Sequence, residues 1–142
     1  MDLDRSQKHP PSRRRILRWV CGVVWVSFFI LTHVPVTGVL RSLPITPRDV
    51  VLHAIGYGAL GAVFSATLVA HGLRGRRLAL VVVPVLLAYG AFDELTQELV
   101  GRDADWQDWL ADALGAVIAA VVAAAVTRRK RSPGGPKRQA AD

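Results

Sequence analysis

Four long apolar runs, separated by short charged or proline-containing segments, dominate the hydropathy pattern. The runs cover 16–34, 50–72, 78–98 and 108–127. A helix rises about 1.5 Å per residue, so about 20 apolar residues cross a hydrocarbon core about 30 Å thick. The pattern therefore predicts an all-α fold: a polytopic membrane protein with four transmembrane helices in a small bundle.

Small residues recur every four positions in two of these runs. The rows consist of Ala54, Gly58 and Ala62 in the second run, and of Ala111, Gly115, Ala119 and Ala123 in the fourth. Such rows let helix backbones approach closely in lipid. We therefore expect both helices to pack tightly within the bundle, and a homodimer is a further candidate assembly for so small a protein.

The composition narrows the class of protein. The chain has 142 residues, is 51% hydrophobic and carries a net charge of +7. A single cysteine excludes an intrachain disulfide and a metal site built on cysteine pairs. A basic chain often binds nucleic acid, but here the basic residues lie just outside the apolar runs. We therefore predict membrane lipids and no nucleic acid as partners, with no cofactor.

The distribution of lysine and arginine predicts the orientation in the membrane. Fifteen of the 18 basic residues lie near the N terminus, in the turn 74–77, or beyond position 127. Cytoplasmic loops carry such an excess, so both termini are predicted to be cytoplasmic, with disordered basic tails at 1–15 and 128–142. The arginines at 13–15 also resemble a twin-arginine export signal, an alternative disfavoured by the long apolar run and the lack of a cleavage site.

Acidic residues follow the opposite distribution, because eight of the eleven fall at or near the predicted outer side. From the helical rise, His53 lies about 6 Å below the outer surface, Asp93 and Glu94 about 8 Å, and Asp112 about 6 Å. An acid at the centre of a membrane helix costs about 2.5–3.5 kcal/mol. Three helices thus bring costly polar groups to one level.

Residues three or four apart share one helix face. On each of the last three helices the polar residues have this spacing, which predicts an outward-open polar pocket with Arg102 as its cation. The predicted ligand-binding residues are Asp49, His53, Tyr57, Asp93, Glu94, Gln97, Arg102, Asp108 and Asp112.

Simpler interpretations exist for single members of this set. A lone histidine in a membrane helix commonly makes a helix–helix hydrogen bond, and Tyr57 is compatible with ordinary packing. Asp49, Asp103 and Asp105 are candidate helix N-caps or turn residues. His33 and His71 have no predicted role.

Two segments resemble the signatures of the VanZ-like membrane protein family. The first is Asp49, then His53 and Tyr57 at intervals of four, followed by glycines; the second runs from Asp93-Glu94 through Gln97 and Gly101-Arg102 to Asp108 and Asp112. Val50 replaces a common lysine and Val100 a common proline of that family. The resemblance, over about 48–121, assigns 16–127 to a VanZ-like domain. It also implies a role related to resistance to the glycopeptide teicoplanin.

Three functions fit these residues. The first is a non-enzymatic cell-envelope protein of the cell membrane that binds an outer-leaflet group, a wall precursor or a lipophilic glycopeptide. The second is a membrane-embedded hydrolase or transferase acting on a lipid-linked substrate. His53, Glu94 and Asp112 are its candidate catalytic residues, although one histidine with carboxylates is only weak evidence for a metal. The third, a proton-coupled transporter, is disfavoured because no acid lies at the midplane.

Overall fold

The computed structural model describes residues 12–34, 46–101 and 105–129, and gives only the backbone for 46–49 and 129. Four α-helices and one short 3₁₀ turn account for nearly all of these residues. They are α1 (Arg13–His33), α2 (Thr46–Ala70), α3 (Gly75–Gln97), the 3₁₀ turn (Glu98–Val100) and α4 (Trp106–Arg129). Each α-helix is long and apolar enough to cross a membrane, so the predicted all-α, four-span architecture is confirmed.

The helix boundaries differ from the predicted spans by a few residues, for local reasons. Helix α2 begins at Thr46 inside the predicted loop, because Pro47 is tolerated in a first helical turn. It ends two residues early, where Gly72 adopts a φ of 99° and Leu73 donates its N–H to the carbonyl of Leu68 at 3.0 Å. This left-handed glycine closes the helix and leads directly into α3.

The start of α4 is fixed by an N-cap. Asp105 Oδ1 accepts a hydrogen bond from the backbone N–H of Gln107 at 2.8 Å, and the Asp105 carbonyl accepts from Asp108 N at 3.0 Å. The carboxylate satisfies one of the free N–H groups of the first turn. The prediction of Asp105 as an N-cap is confirmed, and the helix starts two residues earlier than the apolar pattern indicated.

Helices α2 and α4 pack against each other through their rows of small residues. A side chain at Gly115 would collide with the backbone of Ala54 and lie 2.8 Å from the backbone nitrogen of Gly58. A Cβ at Gly61 would lie 2.9 Å from the Cβ of Ala119. The predicted tight packing of both helices is therefore confirmed, and the two rows face one another.

The bundle interior and its surface are both apolar. Its buried core consists of Leu60, Leu78, Val82, Leu86, Ala116 and Ala120. Large apolar side chains cover the outside as well: Ile55, Leu95 and Leu99 are 64%, 68% and 83% exposed. An apolar exterior suits contact with lipid chains, and it makes the buried polar residues the distinctive feature of this fold.

Candidate functional site

The buried ionisable residues of the described chain lie at one end of the bundle, where α1 and α3 end and α2 and α4 begin. His53 lies two turns into α2, Glu94 one turn before the end of α3, and Asp112 in the second turn of α4. Successive helices run in opposite directions, so these three positions reach the same level. We refer to this region as the α3 C-terminal end.

Three titratable side chains converge there. His53, Glu94 and Asp112 each offer a potential ligand atom, and these atoms all lie within 4.8 Å of one another. His53 Nδ1 lies 3.0 Å from Asp112 Oδ1, a hydrogen-bond distance, and 4.0 Å from Glu94 Oε1. All three residues are buried, with exposed fractions of 7%, 6% and 1% in chain order. We call them the trio.

Asp108 lies near the other nitrogen of the histidine ring. Its Oδ2 is 3.8 Å from His53 Nε2, and it lies one helical turn before Asp112 on α4. The imidazole therefore has a carboxylate near each nitrogen, hydrogen-bonded at Nδ1 and 3.8 Å away at Nε2.

Two carboxylate oxygens of the trio have no hydrogen-bond partner among the described residues. They are Glu94 Oε1 and Asp112 Oδ2, and both atoms are buried. The other oxygen of Glu94 accepts a hydrogen bond from the backbone N–H of Asp105 at 3.2 Å. A buried acceptor without a partner costs about 1–3 kcal/mol, and native proteins keep such groups mainly where they have a function.

Asp93 belongs to a second cluster, between α1 and α3. It is fully buried, and the Thr32 hydroxyl donates a hydrogen bond to its Oδ1 at 2.9 Å. Gln97 Nε2 donates to its other oxygen at 3.3 Å. The structure therefore places Asp93 and Gln97, two predicted ligand residues, in a satisfied network that joins two helices.

His33 completes this second cluster, although no role was predicted for it from the sequence. Its Nδ1 lies 3.7 Å from Asp93 Oδ1 and its Nε2 lies 2.8 Å from the Thr96 hydroxyl. Thr32 and His33 lie at the end of α1, at the same depth in the bundle as Asp93 on α3. This shared depth could have predicted their contact from the sequence. His33 therefore contributes to the packing of α1 against α3, a contact that the sequence did not predict.

Tyr57 lies inside the bundle next to the trio. It is fully buried, it packs edge-on against Phe28 with ring centroids 5.1 Å apart, and its hydroxyl has no hydrogen-bond partner among the described residues. A Cβ added to Gly90 would lie 3.5 Å from both the Tyr57 ring and Asp112 Oδ2. The missing side chain of Gly90 thus keeps space open between the tyrosine and the trio.

A cavity of about 450 Å³ reaches the trio at Glu94. Its wall contains Ala91, Glu94, Leu95, Asp105, Trp106 and Trp109. The indole of Trp109 is fixed by a hydrogen bond from Nε1 to the Leu87 carbonyl at 3.2 Å. This cavity offers a ligand both a carboxylate and two aromatic faces.

A larger apolar groove of about 690 Å³ runs along α2 and α4. Its lining includes the facing small residues Ala54, Gly58 and Gly115. No residue of α3 and no carboxylate of the trio lines this groove.

The predicted set of nine residues therefore divides into parts. His53, Glu94, Asp112 and Asp108 converge, Asp93 and Gln97 form the second cluster, and Tyr57 lies between helices. The side chain of Asp49 and the whole of Arg102 lie outside the described residues. Instead of one broad open pocket, the described residues form a buried polar cluster that a cavity reaches at Glu94.

The trio can bind cations and hydrogen-bond donors. The trio has two carboxylates and one imidazole. In the described part of the chain, the ion-pair partners found for Asp93, Glu94 and Asp112 are histidines. Carboxylate oxygens accept from ammonium and hydroxyl groups and, together with imidazole, ligate metal ions.

Comparison of the chain with protein-family models, with curated proteins and with solved structures found no match. The resemblance to VanZ-like proteins therefore stays a prediction from the two motifs.

Proposed function

We propose that this multi-pass membrane protein binds the polar headgroup of a cell-envelope molecule at the α3 C-terminal end. The convergence of His53, Glu94 and Asp112 in a buried cluster is the observation that supports it. Holding three ionisable groups inside a membrane bundle is costly, and intramembrane ionisable residues commonly mark binding or transport sites.

The chemistry of the cluster favours particular headgroups. Carboxylates attract amines and accept hydrogen bonds from sugar hydroxyls, whereas they repel a bare phosphate at close range. Glu94 lines the cavity together with Trp106 and Trp109, and aromatic faces pack well against sugars and apolar groups. A wall precursor or a lipophilic glycopeptide, each rich in hydroxyl and amine groups, fits this description.

The predicted orientation supports the same proposal. With both termini in the cytoplasm, the α3 C-terminal end faces the outside of the cell, where such molecules are found. The VanZ-like motifs add the expectation that expression of the chain alters susceptibility to teicoplanin.

The test compares Glu94→Gln with Glu98→Gln, two isosteric changes on neighbouring turns. Glu94 is buried in the trio and Glu98 is exposed. Both variants and the wild type are expressed at equal levels. Teicoplanin susceptibility of the cells is measured, and lipid-linked wall precursor retained by the purified protein is detected by native mass spectrometry. We expect Glu94→Gln to lose both effects and Glu98→Gln to keep them; equal behaviour of the two variants would count against the proposal.

A membrane-embedded enzyme is the second candidate, and the geometry of His53 favours it. The ring is oriented by Asp112 at 3.0 Å, with Glu94 Oε1 at 4.0 Å as a second acid or base. An imidazole oriented by a carboxylate is a common general base. Turnover of a lipid-linked precursor by the purified protein, lost in His53→Ala and kept in His71→Ala, would favour this candidate over simple binding.

A further inference from the structure

We infer that the trio is a binding site for one divalent metal ion of the Zn²⁺ or Mn²⁺ type. The inference rests on the proposed function, because it names a direct partner of the same carboxylates. One imidazole and two carboxylates come from three different helices and present their donor atoms within 4.8 Å of one another.

The distances agree with a shared ion. Donor atoms about 2.0–2.2 Å from one ion lie at most about 4.4 Å from each other. His53 Nδ1 is 3.0 Å from Asp112 Oδ1 and 4.0 Å from Glu94 Oε1, so both pairs fall within this limit. The remaining pair lies within 4.8 Å, so side-chain shifts of at most about 0.4 Å bring it within this limit.

The two unpartnered oxygens are an independent indication of a ligand. Glu94 Oε1 and Asp112 Oδ2 are buried and lack hydrogen-bond partners among the described residues. The residues that carry them are only 6% and 1% exposed. A cation at the trio would give Glu94 Oε1 a partner, and it would give Asp112 Oδ2 one if that carboxylate binds through both oxygens. Gly90 keeps the space beside Asp112 Oδ2 free of a side chain.

Asp108 supplies the support that a ligating histidine needs. If Nδ1 binds the ion, the neutral imidazole carries its proton on Nε2, where Asp108 Oδ2 lies 3.8 Å away. Metal-ligating histidines regularly donate their second N–H to a carboxylate, which fixes the ring and its tautomer. At 3.8 Å the two atoms are beyond hydrogen-bond distance, and a small shift of the Asp108 side chain on ion binding would make this contact.

The mixed donor set indicates the kind of metal. Imidazole suits zinc and other first-row ions, whereas carboxylates alone suit magnesium and calcium. A histidine with two carboxylates therefore favours a first-row ion such as Zn²⁺ or Mn²⁺. Three protein ligands leave positions open, and the cavity at Glu94 gives a headgroup access to them.

The full chain, purified without a polyhistidine tag and stripped with chelator, provides the test. Zn²⁺ and Mn²⁺ are titrated separately, and bound metal is measured by equilibrium dialysis with elemental analysis. The variants are Glu94→Gln, Asp112→Asn and His53→Ala. The matched controls are Glu98→Gln, an exposed acid next to the site, and His71→Ala, an exposed histidine at the opposite end of α2. Thermal unfolding of each metal-free variant checks its fold.

We expect about one ion per wild-type chain, an affinity at least tenfold lower in Glu94→Gln and Asp112→Asn, and unchanged affinity in both controls. Absence of binding to the wild type, or binding that all variants retain, would overturn the inference. Precursor retention is measured in parallel in the presence of chelator. Retention in chelator, together with no metal binding by the wild type, would leave the proposed headgroup binding standing while the metal site fails. Metal binding without retention would do the reverse, so the two failures are distinguishable.

Discussion

At the scale of single residues, the hydrogen bonds of buried acids separate side chains that hold the bundle together from those that are available for binding. Asp93 is fully buried, yet both of its oxygens accept hydrogen bonds, from Thr32 and Gln97. Glu94 and Asp112 are nearly as buried and each keeps one oxygen without a hydrogen-bond partner among the described residues. Adjacent acids on α3 therefore have different roles, one in packing and one in the trio.

We expect Thr32→Val to destabilise the bundle without affecting the trio. The change removes the hydroxyl that donates to Asp93 Oδ1 at 2.9 Å, and a hydrogen bond between membrane helices contributes about 0.6 kcal/mol on average and at most about 1.7. The midpoint of thermal unfolding in detergent should fall by a few degrees. Ser27→Ala, at an exposed position on the same helix, is the control; an equal effect in both variants would contradict this role of Thr32.

The sequence indicated the trio but not the second cluster, and the reason lies in the residue types. Acids inside apolar runs are rare, so the depths of Glu94 and Asp112 were informative. Thr32 and His33 lie at the end of a helix, where polar residues are common, so their type and position gave no comparable signal. Which oxygen of each acid is satisfied depends on side-chain geometry that spacing alone does not fix.

At the scale of helices, the approach of α2 and α4 positions the site. Gly115 packs against the backbone of Ala54, the neighbour of His53, and it lies three residues after Asp112. The close contact of these backbones brings His53 within 3.0 Å of Asp112 Oδ1. The rows of small residues were visible in the sequence, but which helix each row contacts was not, because all four helices are apolar on several faces.

Replacing Gly115 by alanine should separate these helices. The added methyl group would overlap the Ala54 backbone, which cannot move as a flexible side chain can, and overpacking of this kind costs about 1–3 kcal/mol or more. Thermal unfolding in detergent is expected to shift strongly downward. The matched change is Gly22→Ala on α1, where an added Cβ meets nothing within 4 Å. That variant should be neutral or slightly stabilised, since alanine favours helix by about 1 kcal/mol.

At the scale of the whole molecule, the bundle is apolar inside and outside, with its charge at the ends. Leu95 is 68% exposed while Leu60 is fully buried, although both are leucines in predicted spans. In lipid the apolar character of a residue does not tell the two environments apart. For this reason the number of spans could be predicted from hydropathy, whereas the rotation of each helix required the structure.

The membrane orientation gives a prediction of its own. In a Cys21→Ser background, Ser42→Cys in the predicted external loop should react with a membrane-impermeant maleimide in intact cells. Ser6→Cys and Ser132→Cys, in the predicted cytoplasmic tails, should react only after permeabilisation, because the excess of basic residues retains both tails inside. Labelling of the tails in intact cells together with protection of Ser42→Cys would reverse the orientation and place the trio at the cytoplasmic side.

Cross-linking between α2 and α4 tests the convergence of the site most directly. In a Cys21→Ser background, His53→Cys is combined with Asp112→Cys, and a short bifunctional thiol-reactive reagent is applied to the protein in native membranes. Mass spectrometry should find an intramolecular cross-link in high yield. The pair Leu52→Cys and Asp112→Cys is the control, since Leu52 is 59% exposed on the face of α2 next to His53, and it should give little product. No cross-link at positions 53 and 112, or equal yields from the two pairs, would contradict a shared buried site.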